Sequence, residues 1–235
     1  KTPKHHPNEV EAACRVTLSD LRCDYLDLYL MHWPVVTGNT GDVVDPSLER
    51  TWKAMERLVD LGLVRSLGVS NFSVPKLRKI VAVQRIPLSV CQVECHPFLR
   101  QDEIREFCVE NAIHLTAYSP LGSPDSASMF RGRDKVPELM KDPAVLKVSK
   151  QTNKNVGQVL LKWALQSRPG SSVLAKSANP DRLKGNLAVL DGWELDEQAM
   201  QEINDVNTKA RMVDGSFWLH KDGPYRTLTE LWDDK

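Results

Sequence analysis

Residues 24–34 read DYLDLYLMHWP, a short apolar run that ends in a histidine and a proline. Such a run is typical of a buried strand that stops at Pro34, because proline cannot continue a central strand. Apolar residues at helical spacing predict an amphipathic helix before it, over residues 10–21, and another after it, over residues 48–58. The stretch therefore predicts a strand between two helices, with His32 at the carboxyl end of the strand.

The same alternation continues along the chain. Further strands are predicted over residues 63–69, 88–95, 113–118 and 171–175, with helical patterns between them. Residues 195–206 pattern as one more helix, and residues 207–235 as an irregular tail. Strands that alternate with helices predict a parallel sheet in an α/β protein. An open doubly wound sheet usually carries GxGxxG in its first βα turn, and this sequence has none. We therefore favour a (β/α)8 TIM barrel, and assign residues 1–235 to a single domain.

The charge balance and hydropathy exclude several partners. Lysine plus arginine equals aspartate plus glutamate, at 31 each, so no global charge favours nucleic acid or an anionic membrane. No run approaches the ~18 consecutive apolar residues of a membrane span. We expect a soluble, cytoplasmic protein with no nucleic-acid or membrane partner.

The cysteine pattern bears on metal binding and redox state. Each of the five cysteines falls within an apolar pattern, so we interpret them as reduced thiols. Cys91, Cys95 and His96 suggest a possible metal site, but residues 91, 93 and 95 share one face of a predicted strand. Buried thiols explain this spacing more simply, and we expect no metal.

Five ordered motifs lie at the predicted strand ends, where barrels carry their chemistry. They read DYLDLYLMHWP (24–34), LGVSNF (67–72), QVECHP (92–97), TAYSPLGSPD (116–125) and AKSANPDRLKGN (175–186). Together they resemble the aldo-keto reductase family, and the tail resembles its plant-type aldose reductase-like branch. The resemblance implies NADPH-dependent reduction of aldehydes or ketones to alcohols by an oxidoreductase that is a monomer when intact.

The resemblance implies a catalytic aspartate, tyrosine, lysine and histidine, of which this sequence supplies His32. In relatives with a KHHP element, here residues 4–7, the lysine lies a few residues earlier. We therefore expect an N-terminally truncated chain that carries about the last five βα units and is inactive alone. A neutral imidazole N–H would orient the substrate carbonyl and stabilise charge on its oxygen. Trp33, beside it, is expected to form a wall of the substrate pocket.

The resemblance also implies an NADP(H) site. Ser70, Asn71 and Gln92 would bind the nicotinamide carboxamide, and Tyr118 would stack on the ring. The pyrophosphate would be covered by Ser119, Leu121, Ser123 and Asp125. The 2′-phosphate and adenine would be bound by Lys176, Ser177, Asn179, Arg182 and Asn186, where a strand turns into a helix.

Structural alternatives remain for these residues. From the residues alone, the serines and asparagines are equally typical of helix caps, and the basic turn of a solvated surface. Ala175 replaces the family's usual proline, and Gly185 replaces its usual glutamate toward the adenine amino group. Two alternative functions also remain, a noncatalytic nicotinamide-binding regulatory barrel and an inactive fragment.

Overall fold

The computed structural model describes residues 2–123, 137–167 and 170–234. Within them, five strands follow one another in the hydrogen-bonded order β1-β2-β3-β4-β5. They are β1 (Leu26–Met31), β2 (Val64–Ser70), β3 (Leu88–Glu94), β4 (His114–Tyr118) and β5 (Ser172–Leu174). The helices are α1 (Pro7–Leu21), α2 (Leu48–Asp60), α3 (Val74–Val83), α4 (Asp102–Glu110), α5 (Pro143–Thr152), α6 (Val156–Gln166), α7 (Pro180–Leu187), α8 (Glu197–Asn204) and α9 (Leu228–Trp232). Every strand lies within two residues of its predicted bounds.

The chain divides into two compact units. The first contains Lys1–Gln92, Glu103–His114 and Asp214–Lys235, and the second contains Val93–Asp102 and Leu115–Val213. Among the described residues, no helix is long and apolar enough to cross a membrane.

In the first unit, β1 pairs in parallel with β2, and β2 pairs in parallel with β3. The register between β2 and β3 shifts between Leu67 and Gly68. A Cβ atom at Gly68 would lie 2.5 Å from the carbonyl oxygen of Val90 and would also meet Leu30. Only glycine allows the strands to approach so closely here. The largest fully buried side chain on α2 is Trp52, which anchors that helix in the core of this unit.

In the second unit, β4 and β5 pair in parallel, with Thr116 opposite Ser172. Helix α6 begins with a capping box, in which Asn155 and Gln158 each accept a hydrogen bond from the other's backbone N–H. Helices α5, α6 and α8 share one apolar core, centred on the fully buried Trp163 and Ile203.

The tail contains more regular structure than the sequence predicts. Residues Ser216–Trp218 form a 3-10 turn, and α9 follows. Thr227 starts α9 because its hydroxyl accepts a hydrogen bond from Glu230 N (3.2 Å), while the Glu230 carboxylate accepts one from Thr227 N (3.0 Å). The prediction of an irregular tail is therefore wrong for these residues, since a five-residue helix is too short to show periodicity.

All five cysteines are free thiols, as the cysteine pattern predicts. Cys14, Cys91, Cys95 and Cys108 are buried, whereas Cys23 is exposed. Helix α1 ends at Leu21, and Arg22 then adopts the left-handed conformation. Cys23 therefore lies beyond the end of α1 and outside its apolar face.

Candidate functional site

Four predicted site residues meet at the strand ends of the first unit. Ser70 and Gln92 are register partners on β2 and β3. Asn71 N donates a hydrogen bond to the Gln92 carbonyl oxygen (3.0 Å). Asn71 Nδ2 donates to the His32 carbonyl oxygen (2.9 Å) and to Ser70 Oγ (3.2 Å). We call His32, Ser70, Asn71 and Gln92 the strand-end cluster.

Burial and backbone conformation fix this cluster. Ser70 is 2% exposed and Asn71 is 3% exposed. Asn71 adopts φ 63°, a left-handed conformation that asparagine tolerates better than most residues. The His32 backbone is held through its carbonyl oxygen, while its side chain is exposed. The cluster thus holds the backbone of His32 in place and leaves its side chain exposed.

A second histidine, His5, lies near His32. It is 4% exposed, and its carbonyl oxygen accepts a hydrogen bond from Thr51 Oγ1 (2.7 Å). Burial lowers the pKa of the His5 imidazole to about 4, and the nearby His32 contributes further. The sequence predicts only a surface or structural role for His5, and nothing in its spacing indicates how deeply it is buried.

Trp33 packs among aromatic rings of the tail. It is 4% exposed, and its ring centroid lies 5.6 Å from Phe217, 6.1 Å from Trp218 and 5.7 Å from Trp232. We call these four residues the tail aromatic cluster. Gly215 has φ +79°, and a Cβ atom there would lie 2.9 Å from the Trp33 ring.

The exposed ring of this cluster is Phe217, at 46%. Trp33 is therefore mostly covered, and the tail supplies the aromatic surface beside it. The sequence analysis missed Phe217, Trp218 and Trp232. The available signal was their concentration in GSFW and ELWDD near Gly215.

In the second unit, Tyr118 ends β4 and its carbonyl oxygen accepts a hydrogen bond from Cys95 N (3.2 Å). Burial raises the pKa of the Tyr118 phenol well above its usual range, and the charge of Glu94 raises it further. The ring is therefore neutral and half-buried, as a stacking platform requires.

The predicted pyrophosphate loop begins as a tight turn. Gly122 N donates to the Ser119 carbonyl oxygen (2.9 Å), and the Ser123 hydroxyl donates to that of Ser119 (2.5 Å). Leu121 packs against the apolar core of the second unit. Asp125 lies outside the described residues.

The sequence analysis also missed a buried carboxylate in QVECHP, that of Glu94. Glu94 is 1% exposed and His96 is fully buried, with Glu94 Oε1 2.8 Å from His96 Nε2. Glu94 also accepts hydrogen bonds from Met212 N (2.5 Å) and Val213 N (2.8 Å). Glu94 therefore fixes the backbone at residues 212 and 213. The shared parity of Gln92, Glu94 and His96, which places them on one face of a strand, was the available signal.

The predicted phosphate-binding residues lie between β5 and α7. Asn179 is the N-cap of α7, because its side-chain oxygen accepts a hydrogen bond from Arg182 N (3.0 Å). Asn179 N donates in turn to Ser177 Oγ (3.2 Å). Lys176 and Arg182 are exposed beside this helix N-terminus, which favours anions.

The residues predicted to contact the adenine offer fewer polar side chains than the predicted phosphate-binding residues. Asn186 is half-buried in the last turn of α7, and the neighbouring Gly185 offers only its backbone. Gln158 Nε2 donates to the Gly185 carbonyl oxygen (3.1 Å), which ties α7 to α6.

The cysteine motif shows no geometry for a metal. Among residues 2–123, 137–167 and 170–234, no group of three or more His, Cys, Asp and Glu side chains is placed to hold an ion. A hydrogen bond with Cys108 and burial raise the pKa of the Cys91 thiol well above its usual value. Cys91 is therefore a neutral, buried thiol.

Comparison with known proteins identifies the relatives of this chain. Residues 1–208 match the model of the Aldo/keto reductase family. "Aldo-keto reductase family 4 member C11" of Arabidopsis thaliana is 41% identical over 234 residues, which cover 97% of this chain and 71% of the relative. "Aldo/keto reductase slr0942" of Synechocystis sp. is 43% identical over 240 residues, which cover 98% and 72%. "Aldo-keto reductase family 1 member A1-A" of Danio rerio is 39% identical over 221 residues, which cover 89% and 66%.

Proposed function

The chain belongs to the aldo/keto reductase family, and from this we propose that it uses NADPH to reduce small aldehydes or ketones to alcohols. Oxidoreductase activity with a nicotinamide cofactor on a small carbonyl compound is the family's general chemistry. The choice of NADPH, the roles of individual residues and a monomeric intact protein are part of the proposal.

The strand-end cluster carries the proposal. A carboxamide has one acceptor and one amide donor, so its binding site must offer both kinds of group at fixed positions. Ser70, Asn71 and Gln92 are such groups. Asn71 Nδ2 donates to Ser70 Oγ and Asn71 N to the Gln92 carbonyl oxygen, so the backbone that carries these side chains is held in place. In the proposed site they orient the nicotinamide, and Tyr118 provides the flat surface for its ring.

The donors near α7 fit a phosphate monoester. Arg182 offers a planar fork of N–H groups, Lys176 an ammonium, and Ser177 a hydroxyl. The 2′-phosphate of NADPH carries about −1.5 to −2 charges, so the exposed cations of Lys176 and Arg182 suit it. Asn179 and Asn186 complete this end of the proposed site, and Ser119, Leu121 and Ser123 cover the pyrophosphate.

His32 acts on the substrate in this proposal. The bound cofactor supplies a hydride to the carbonyl carbon. The His32 imidazole N–H donates to the carbonyl oxygen, which orients the substrate and stabilises the charge that develops there. The family's tyrosine acid delivers the proton, a task that His32 does not replace.

Replacement of His32 tests the proposal. In the intact protein, His32→Ala should lower kcat/KM for an aromatic aldehyde about 10²-fold, the usual cost of one positioned oxyanion donor. The Kd of NADPH, measured by isothermal titration calorimetry, should stay within about twofold, because Asn71 bonds to the His32 backbone carbonyl, which the substitution retains. His114→Ala, at an exposed histidine, is the control. Unchanged reduction by the His32 variant, or no binding of NADPH by the wild-type protein, would contradict the proposal.

A further inference from the structure

A buried lysine on α3 holds the end of the tail in the first unit. Lys76 is 4% exposed, and its ammonium donates to the Leu231 carbonyl oxygen (2.8 Å) and to Asp233 Oδ2 (2.5 Å). Asp233 Oδ2 also accepts a hydrogen bond from Ser73 Oγ, at the start of α3. We call Ser73, Lys76 and Asp233 the tail clasp. It fixes the last turn of α9 on α3.

The ammonium is also close to an aromatic ring that reaches the exit of β1. Lys76 Nζ lies 5.2 Å from the ring centroid of Tyr225. The Tyr225 hydroxyl donates to the Pro34 carbonyl oxygen (3.0 Å), one residue after Trp33. Lys76 is thereby connected to the segment that follows His32 as well as to α9.

Helix α9 in turn supports the aromatic surface beside Trp33. Trp232 lies in sequence between Leu231 and Asp233, the two residues that Lys76 contacts. Its ring packs on Trp33, and its Nε1 donates to the Asp214 carbonyl oxygen (2.7 Å). The Asp214 carboxylate accepts a hydrogen bond from Ser216 N (3.0 Å), which begins the turn that carries Phe217 and Trp218. A displacement of α9 would therefore move this turn.

We propose that Lys76 is a positioning residue that determines which carbonyl substrates fit beside His32, by holding α9 and the Ser216–Trp218 turn against Trp33. This inference rests on the proposed function, since it takes His32 as the group that meets the substrate oxygen. Lys76 does not touch the substrate. It fixes the aromatic wall that the apolar part of a large aldehyde contacts.

The choice of lysine supports a positional role. Burial lowers the pKa of the Lys76 ammonium, and Asp233 acts in the opposite direction. An apolar side chain would fill the same space without a desolvation cost. A buried ammonium instead requires acceptors at defined positions, and here they are the carbonyl of Leu231 and the carboxylate of Asp233.

The test compares Lys76→Met with Lys79→Met, which removes an exposed ammonium from the same helix. Asp233→Asn is the milder second variant, because Asp233 is partly exposed. Steady-state kinetics in the intact protein would use propanal and cinnamaldehyde, and calorimetry would give the Kd of NADPH. We expect KM for cinnamaldehyde to rise about tenfold in Lys76→Met and less in Asp233→Asn, a range typical of altered apolar pocket contacts. The constants for propanal, kcat for both aldehydes and the Kd of NADPH should stay within about twofold.

Hydrogen exchange separates this inference from the proposed function. In Lys76→Met, but not in Lys79→Met, the amides of residues 216–219 should exchange faster, because their turn loses its support. Unchanged exchange there, or an equal rise of KM for both aldehydes, would overturn the positioning role. A wild-type protein that reduces neither aldehyde would contradict the proposed function, and the exchange data would still decide whether Lys76 holds the turn.

Discussion

Ser70 and Asn71 are almost fully buried, whereas Lys176 and Arg182 lie on the surface. We call the first pair, proposed to bind the nicotinamide, the nicotinamide end, and the second pair, proposed to bind the 2′-phosphate, the phosphate end. At the first end, Asn71 Nδ2 donates to Ser70 Oγ and to the carbonyl oxygen of His32, just after β1, and Asn71 N donates to the backbone of β3. The second is built from long cationic side chains around one capped helix end.

The difference has a physical reason. A carboxamide must be held in one orientation for hydride transfer, and rigid, buried groups provide that at little entropic cost on binding. A phosphate is nearly symmetric and highly charged, so mobile cations recognise it adequately. Substitutions should therefore cost folding stability at the nicotinamide end, whereas substitutions of the cations at the phosphate end should cost only cofactor affinity.

The largest effect is expected for Asn71→Ala. It removes the donor to the His32 carbonyl oxygen and to Ser70 Oγ, and it places alanine at a left-handed φ. Unsatisfied buried groups and backbone strain should together lower the free energy of unfolding by about 3 kcal/mol. Urea unfolding would measure this. Asn71→Gly, which relieves the backbone strain alone, should recover about 1 kcal/mol. A loss of NADPH affinity without any loss of stability would break the comparison.

Arg182→Ala is expected to act on binding alone. A charge-assisted hydrogen bond contributes ~1.5–3 kcal/mol, so NADPH should bind about tenfold to a hundredfold more weakly, and NADH nearly as before. The free energy of unfolding should not change, since Arg182 is exposed. The control is Lys184→Ala, because residues two apart on a helix do not face each other. Calorimetry that shows equal losses for both cofactors would refute the 2′-phosphate assignment.

Asn179→Ala should have the smallest effect of the three substitutions. It sharpens the comparison of the two ends, because Asn179 is the structural residue of the phosphate end. Loss of its cap on α7 should lower the free energy of unfolding by about 1 kcal/mol. NADPH should bind only a few-fold more weakly, since the cations remain. Asn179→Ser retains a capping oxygen and should restore both quantities. A loss of affinity as large as that of Arg182→Ala would instead make Asn179 a direct phosphate ligand.

The sequence predicted the strands well because each is a short apolar run between turn signals, as residues 24–34 illustrate. Family membership confirms the choice of a (β/α)8 barrel over an open sheet. The sequence also predicted the residues of the strand-end cluster, although the hydrogen bonds among His32, Asn71 and Ser70 depend on the register between strands. The roles of all these residues remain predictions.

Other features depend on contacts distant in sequence. Trp33 is 184 residues from Phe217 and 199 from Trp232, so no local pattern indicates that these rings meet. The same holds for Lys76 and Asp233, 157 residues apart. Helical periodicity alone predicts neither that a lysine is buried nor which carboxylate it meets.

The tail is held by hydrogen bonds at two positions. Glu94 holds the backbone at residues 212 and 213, and the tail clasp holds residue 233. When a loop is fixed at both ends, its middle residues can be replaced together, because the attachments at its ends determine where the backbone enters and leaves. Under the proposed function, residues 216–224 are then the place where new substrate preferences can be selected or engineered without rebuilding the sheet. Gly215, just before this segment, cannot be exchanged in the same way. Its backbone conformation and its contact with Trp33 admit no side chain.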